Sequence, residues 1–147
     1  MGFSALGLAL SLAIFAPNLL MVWFPPRSTL DDGRAPMIIV VLERVGQAAS
    51  LTVPVFTVGG AVLWWCVVPV AVLLAAYWAL WARYLASGRQ WASLFAPAWA
   101  VPVPMAVLPV GVLFAASVWL TNGWIAVAAA VLAAGHVPRS LITARST

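Results

Sequence analysis

The chain reads as five long apolar runs separated by short breaks that carry proline, glycine or arginine. A helix that crosses a bilayer needs about 20 mainly apolar residues. The first run covers about 3–24 and is stopped by Pro25, Pro26 and Arg27. The second covers about 37–58, between Pro36 and the Gly59–Gly60 pair. The third covers about 62–84 and ends at Arg83 and Tyr84. The fourth, about 97–120, and the fifth, about 124–143, are joined tightly through Thr121, Asn122 and Gly123. The expected fold is therefore an all-α integral membrane protein, a single bundle of five transmembrane helices over residues 1–147. Five such spans leave no room for a soluble domain. The first run has no positive charge before it and is too long for a cleaved signal peptide.

Polar positions inside the runs are few and patterned. Glu43, Gln47, Ser50, Pro54 and Thr57 follow steps of four, three, four and three, which puts them on one face of a helix. That stripe is expected to face protein or water. Asn18 in the first run, and His136 and Ser140 one turn apart in the fifth, lie at similar depth. Pro97, Pro102, Pro104 and Pro109 interrupt the first half of the fourth run. Irregular backbone at membrane depth is tolerated where it is buried in protein or lines a cavity. Alternatively, that helix simply starts late, near Pro104. Ala126, Ala130 and Ala134 form a small-residue stripe. Such a stripe allows close packing, either within the chain or between copies in a homo-oligomer.

Composition strengthens the membrane reading. The chain is 65% hydrophobic and 7% charged, against about 25% charged in soluble domains. Mean hydropathy is +1.10. The seven basic residues are all arginine, and they sort by loop. Arg27, Arg34 and Arg44 lie in or just after the first connection, Arg83 and Arg89 around the third, and Arg139 and Arg145 at the C-terminal end. With five spans these regions share one face, and the opposite face carries no basic residue. Cytoplasmic loops hold the excess of Lys and Arg. The expectation is an N-terminus outside, a C-terminus in the cytoplasm, and a multi-pass protein of the plasma membrane. The arginines form no basic stripe with interleaved aromatics, so no nucleic-acid partner is expected. Much of the tryptophan fits an interfacial belt.

Under this orientation the polar groups concentrate in the cytoplasmic half, which suggests a pocket there. Glu43 is its leading residue, because an ionisable group inside a span is costly and marks function by default. In a low-dielectric site a carboxylic acid can stay protonated near neutrality, and then donate or relay a proton. The competing reading is a structural ion pair with Arg44, Arg83 or Arg139. Gln47 on the same stripe and His136 complete the candidate catalytic set; His136 can also be a packing residue beside Pro138. Asn18, Trp23, Tyr77, Trp78, Trp81, Tyr84 and Trp99 are candidates for the lining of a lipophilic site. Aromatic faces stabilise cations, so an acid beside an aromatic cavity suits proton-initiated cyclisation of a polyene. Asp31 and Asp32 lack the further acid of an aspartate-rich diphosphate site and read as a solvating turn. No metal-ligand or phosphate-loop motif is present, and no cofactor is expected. One cysteine, Cys66, excludes an intrachain disulfide.

In size, span count and the buried acid of Leu-Glu-Arg-Val-Gly-Gln (42–47), the chain resembles the small membrane-bound terpene cyclases of bacterial meroterpenoid pathways. It also resembles a wider set of uncharacterised bacterial membrane proteins with Glu-Arg-x-Gly-Gln-like and Gly-His-x-x-x-Ser-like segments, here 43–47 and 135–140. The resemblance implies a prenylated substrate with an intact polyene tail, with Glu43 as the acid by position. Two other classes compete. A transporter or channel subunit would use Glu43 as its protonatable site, and a structural protein would dock another membrane protein on the polar stripe.

Overall fold

The structure, a computed structural model, describes residues 1–28 and 35–146. Asp31, Asp32 and Arg34 lie outside the described residues. The described chain is helical, without a named strand. Helix α1 (Ala5–Phe15) starts at Ser4, whose Oγ accepts from Gly7 N at 3.0 Å. Pro17 interrupts its hydrogen-bond ladder, and a 3₁₀ turn (Ala16–Leu19) leads into α2 (Leu20–Trp23). Then come α3 (Met37–Phe56), a 3₁₀ turn (Trp64–Cys66) continuous with α4 (Val67–Ala86), the short α5 (Trp91–Phe95), α6 (Pro104–Trp119) and α7 (Gly123–Ser146).

Four helical stretches are long and apolar enough to cross a membrane: Ala5–Trp23, Met37–Phe56, Trp64–Ala86 and Gly123–Ser146. The fourth run departs from the expected 97–120. Its helix begins only at Pro104, so α6 has 16 residues. At 1.5 Å per residue it reaches about 24 Å, short of the roughly 30 Å hydrocarbon core. Residues 96–103 form irregular backbone instead. A two-residue turn there, bridged between Ala98 and Val101, places Trp99 and Ala100 at φ 50° and 63°. Proline explains the late start: Pro102 and Pro104 lack the N–H a helix would use and bias the residue before each towards extended backbone.

The helices run back and forth. Tyr84 Oη donates to Phe24 O at 2.9 Å, Arg27 N to Arg89 O at 2.9 Å, and Trp91 N to Ser28 Oγ at 3.0 Å. At the opposite end Ser4 N donates to Val55 O at 2.8 Å and Leu63 N to Trp119 O at 2.9 Å. There Asn122 Nδ2 also donates to Thr57 Oγ1 at 2.7 Å, while its Oδ1 accepts from Trp124 N at the start of α7. The six described arginines all belong to the half that holds Phe24, Tyr84 and Trp91.

Two apolar clusters fill the interior. The larger, with Leu10, Ile14, Val70, Leu113, Ala116, Ile125 and Ala129, closes the half without arginine. The smaller joins Tyr77, Trp81, Tyr84 and Leu94 in the arginine-bearing half. The tightest helix pair is α3 with α7. A Cβ on Gly46 would lie 2.4 Å from Leu132 Cα, and one on Gly135 would lie 2.1 Å from Glu43 N. Those glycines let the two backbones touch. The buried face of α7 is Ile125, Ala128, Ala129, Leu132 and Gly135. Ala130 and Ala134 are exposed, so the stripe with Ala126 is not the face that packs within the chain.

Candidate functional site

The polar stripe of α3 faces protein, as its spacing requires: Glu43, Ser50 and Pro54 are buried and Gln47 is half-buried. Pro54 supplies no N–H to the carbonyl of Ser50 four residues earlier. Ser11 Oγ donates to that carbonyl instead, at 3.5 Å.

Glu43 meets two residues one turn apart on α7. Its Oε1 is bonded to His136 Nδ1 at 2.8 Å, and its Oε2 accepts from Arg139 Nη1 in a close ion pair. Gly135 makes this possible, because it brings the α7 backbone against Glu43 itself. The ionic partner is Arg139. Arg83 is engaged elsewhere: its Nη2 donates to Ser93 O at 2.9 Å and Ala96 O at 3.1 Å, tying α5 to the end of α4. Arg44 is exposed and makes no ion pair among the described residues. With both oxygens engaged, Glu43 acts as acceptor, so the His136 ring carries its proton on Nδ1. A carboxylate held this way fixes the ring and leaves the other ring nitrogen, Nε2, for exchange with a ligand.

The trio lines an outer cavity of about 460 Å³. Asn18, Met21, Gln47, Tyr77, Trp81, Trp91, Leu94, Phe95 and Met105 are among its other walls. An inner chamber of about 320 Å³ shares Asn18, Gln47, Tyr77 and His136 with it and reaches Ser50, Ile14, Phe15, Pro109 and Leu132. Pockets of roughly 300–1,000 Å³ hold drug-sized ligands. The aromatic and thioether walls, with the charged groups limited to the trio and Arg44, suit a lipophile.

Of the sequence candidates, Glu43, Gln47, His136, Asn18, Tyr77 and Trp81 are gathered here. Tyr77 and Trp81 are buried and meet edge to face, with ring centroids 6.4 Å apart. The other four candidates lie outside the lining. Trp23 and Trp99 are exposed, Trp99 at the tip of its turn. Trp78 is exposed and donates from Nε1 to Ala13 O at 3.0 Å, bracing α1. Tyr84 is fully buried and spends its hydroxyl on Phe24 O. Sequence reasoning missed Met21, Trp91, Leu94, Met105 and Thr143 as lining residues. The segment around α5 is too short to show helical periodicity, and long-range contacts hold it over the cavity: the Arg83 tether, the Trp91–Ser28 hydrogen bond and the packing of Leu94. Among the described residues no three His, Cys, Asp or Glu side chains gather to hold a metal ion.

The chain matches no protein-family model, no curated protein and no solved structure.

Proposed function

We propose that the chain is a five-span plasma-membrane enzyme, N-terminus outside and C-terminus cytoplasmic, that cyclises a prenylated lipophile by proton transfer. The observation that carries the reading is the Glu43–His136 hydrogen bond, reinforced by Arg139, on the wall of a cavity that also presents Tyr77, Trp81, Trp91 and Phe95. In this reading α6 is the fourth of the five spans, with residues 96–103 completing its passage at the cytoplasmic side. Glu43 orients the imidazole and balances its charge. The proton that starts the reaction leaves Nε2 of the doubly protonated His136 ring for the substrate, while Nδ1–H stays bonded to Glu43. Tyr77, Trp81, Trp91 and Phe95 then face the developing carbocation, and ring faces stabilise such a charge by roughly 2 kcal/mol or more when desolvated. Loss of a proton from the cyclised cation to the same pair closes the cycle, so product and substrate are isomers. Gln47 and Asn18 help to place the substrate.

The test is turnover in nanodiscs. Wild-type protein with a prenylated compound bearing an intact polyene tail is expected to give a product of unchanged mass and altered retention. Glu43→Gln and His136→Ala are each expected to lower the rate by about 100-fold or more, the usual reach of general acid–base catalysis. Unchanged turnover in both variants, or no product from wild type, would overturn the reading.

A second reading is a proton-coupled transporter, favoured by the inner chamber that carries polar groups towards the middle of the bundle. The apolar cluster of Leu10, Ile14, Leu113 and Ala129 opposes a through-path in one chain. Proton-dependent flux in liposomes would favour the transporter.

A further inference from the structure

The inner chamber is not built for a plain hydrocarbon. Five polar side chains line it: Asn18, Gln47, Ser50, Tyr77 and His136. Ser50 is fully buried, and its Oγ has no hydrogen-bond partner among the described residues. The Gln47 amide likewise makes no hydrogen bond among the described residues. Buried polar groups in folded proteins are nearly always satisfied, so the open Ser50 hydroxyl points to a partner from outside the chain, and the half-buried Gln47 amide on the same chamber wall can join it in holding one. Both lie deeper than the charged trio. On α3, Gln47 is about 6 Å and Ser50 about 10 Å beyond Glu43, at 1.5 Å per residue.

The charges say which polar group fits. Arg44 and Arg139 line the outer cavity only; no arginine lines the inner one. A phosphate or carboxylate in the chamber would be held without an arginine to pair with. An uncharged oxygen needs none, and it matches the donors and acceptors of an amide and a hydroxyl. The outer cavity offers Met21, Leu94, Phe95 and Met105 to a hydrocarbon chain.

We infer that the inner chamber is a subsite for an uncharged hydroxyl or carbonyl of the bound lipophile, held by Gln47 and Ser50. The ligand sits with its polar group inward and its tail towards the arginine-bearing end, opposite to a membrane lipid of that leaflet. This assignment rests on the lipophile reading above and narrows its substrate class. It places the ligand's oxygen beside His136, one of the four residues common to both cavities.

The test uses the full chain in nanodiscs and native mass spectrometry with three farnesyl-length probes in equal amounts: the alcohol, the hydrocarbon and the monophosphate. The wild type is expected to retain the alcohol about tenfold over either competitor. Ser50→Ala and Gln47→Met are each expected to reduce that preference about three- to tenfold, the reach of a neutral hydrogen bond. Both variants should elute as the wild type does, since neither leaves a cavity larger than an atom or two. Equal retention of alcohol and hydrocarbon would overturn the subsite and leave the lipophile reading standing, with the chamber holding water. Preference for the phosphate would overturn it in favour of a head group on Arg44 and Arg139. An alcohol preference that survives both substitutions would overturn the assignment to Gln47 and Ser50. Retention of none of the three would overturn the lipophile reading and the subsite together.

Discussion

The carboxylate of Glu43 has one oxygen on His136 and the other on Arg139. That arrangement joins the two roles open to it from sequence: it is a structural ion pair, and it also sets the ring that faces the cavities. Because His136 is the one histidine in the chain, its ring can be read without assignment ambiguity. Nitrogen-15 NMR at a pH where the ring is neutral should show the Nδ1–H form. In Glu43→Gln, the Nδ1–H preference should fall towards an ordinary tautomer mixture; an Nε2–H ring in the wild type would contradict the orientation of the pair. The same substitution takes the carboxylate charge away from Arg139 and His136. Breaking a buried pair costs about 3–5 kcal/mol, and partial exposure of Arg139 and His136 reduces that here to about 1–3 kcal/mol, measurable as a drop in melting temperature in detergent. Glu43 and its stripe were legible because an acid inside an apolar run has no cheap surface explanation. Its partner was not, since several arginines sit within one turn of the same depth, and only the α3–α7 contact chooses among them.

At the scale of elements, the α3–α7 contact is the joint on which the site depends. Gly135→Ala and Gly46→Ala each force a methyl into the facing backbone. Overpacking of this kind typically costs about 1–3 kcal/mol. Both variants should melt earlier, while Ala130→Leu on the exposed face of α7 should leave the monomer's melting temperature within error. Equal melting for all three would mean the helices are not in contact as described. The turn at Trp99 and Ala100 holds two non-glycine residues at positive φ. Ala100→Gly should therefore raise stability by about 1 kcal/mol. Four of the five apolar runs were readable as helices from length alone. The fourth was not, because apolarity does not report backbone form: residues 97–103 are as hydrophobic as a span, yet their prolines deny them a helix, and the late start near Pro104 that those prolines offered as an alternative is the one found. α5 escaped notice because its position follows from long-range contacts of Arg83, Trp91 and Leu94 and not from any periodicity.

For the whole molecule, the sorting of arginines survives as geometry: every described arginine belongs to one half of the bundle, and the large apolar cluster fills the other. The proposed orientation, with the arginine-bearing half at the cytoplasm, rests on the bias of basic residues towards that side. Single cysteines placed on a Cys66→Ser background should report it. Arg145→Cys should label with an impermeant thiol reagent only in inverted vesicles, and Gly123→Cys in intact cells; the opposite pattern would invert the topology. The central claim is that the polar half encloses a site for a lipophile gripped beside Glu43 and His136. Native mass spectrometry of the detergent-purified protein, wild type beside Glu43→Gln, addresses it most directly. The account predicts a folded protein that carries over a lipophile of isoprenoid mass, in both variants. A folded protein that holds no lipophile, even when one is supplied in excess, would contradict it.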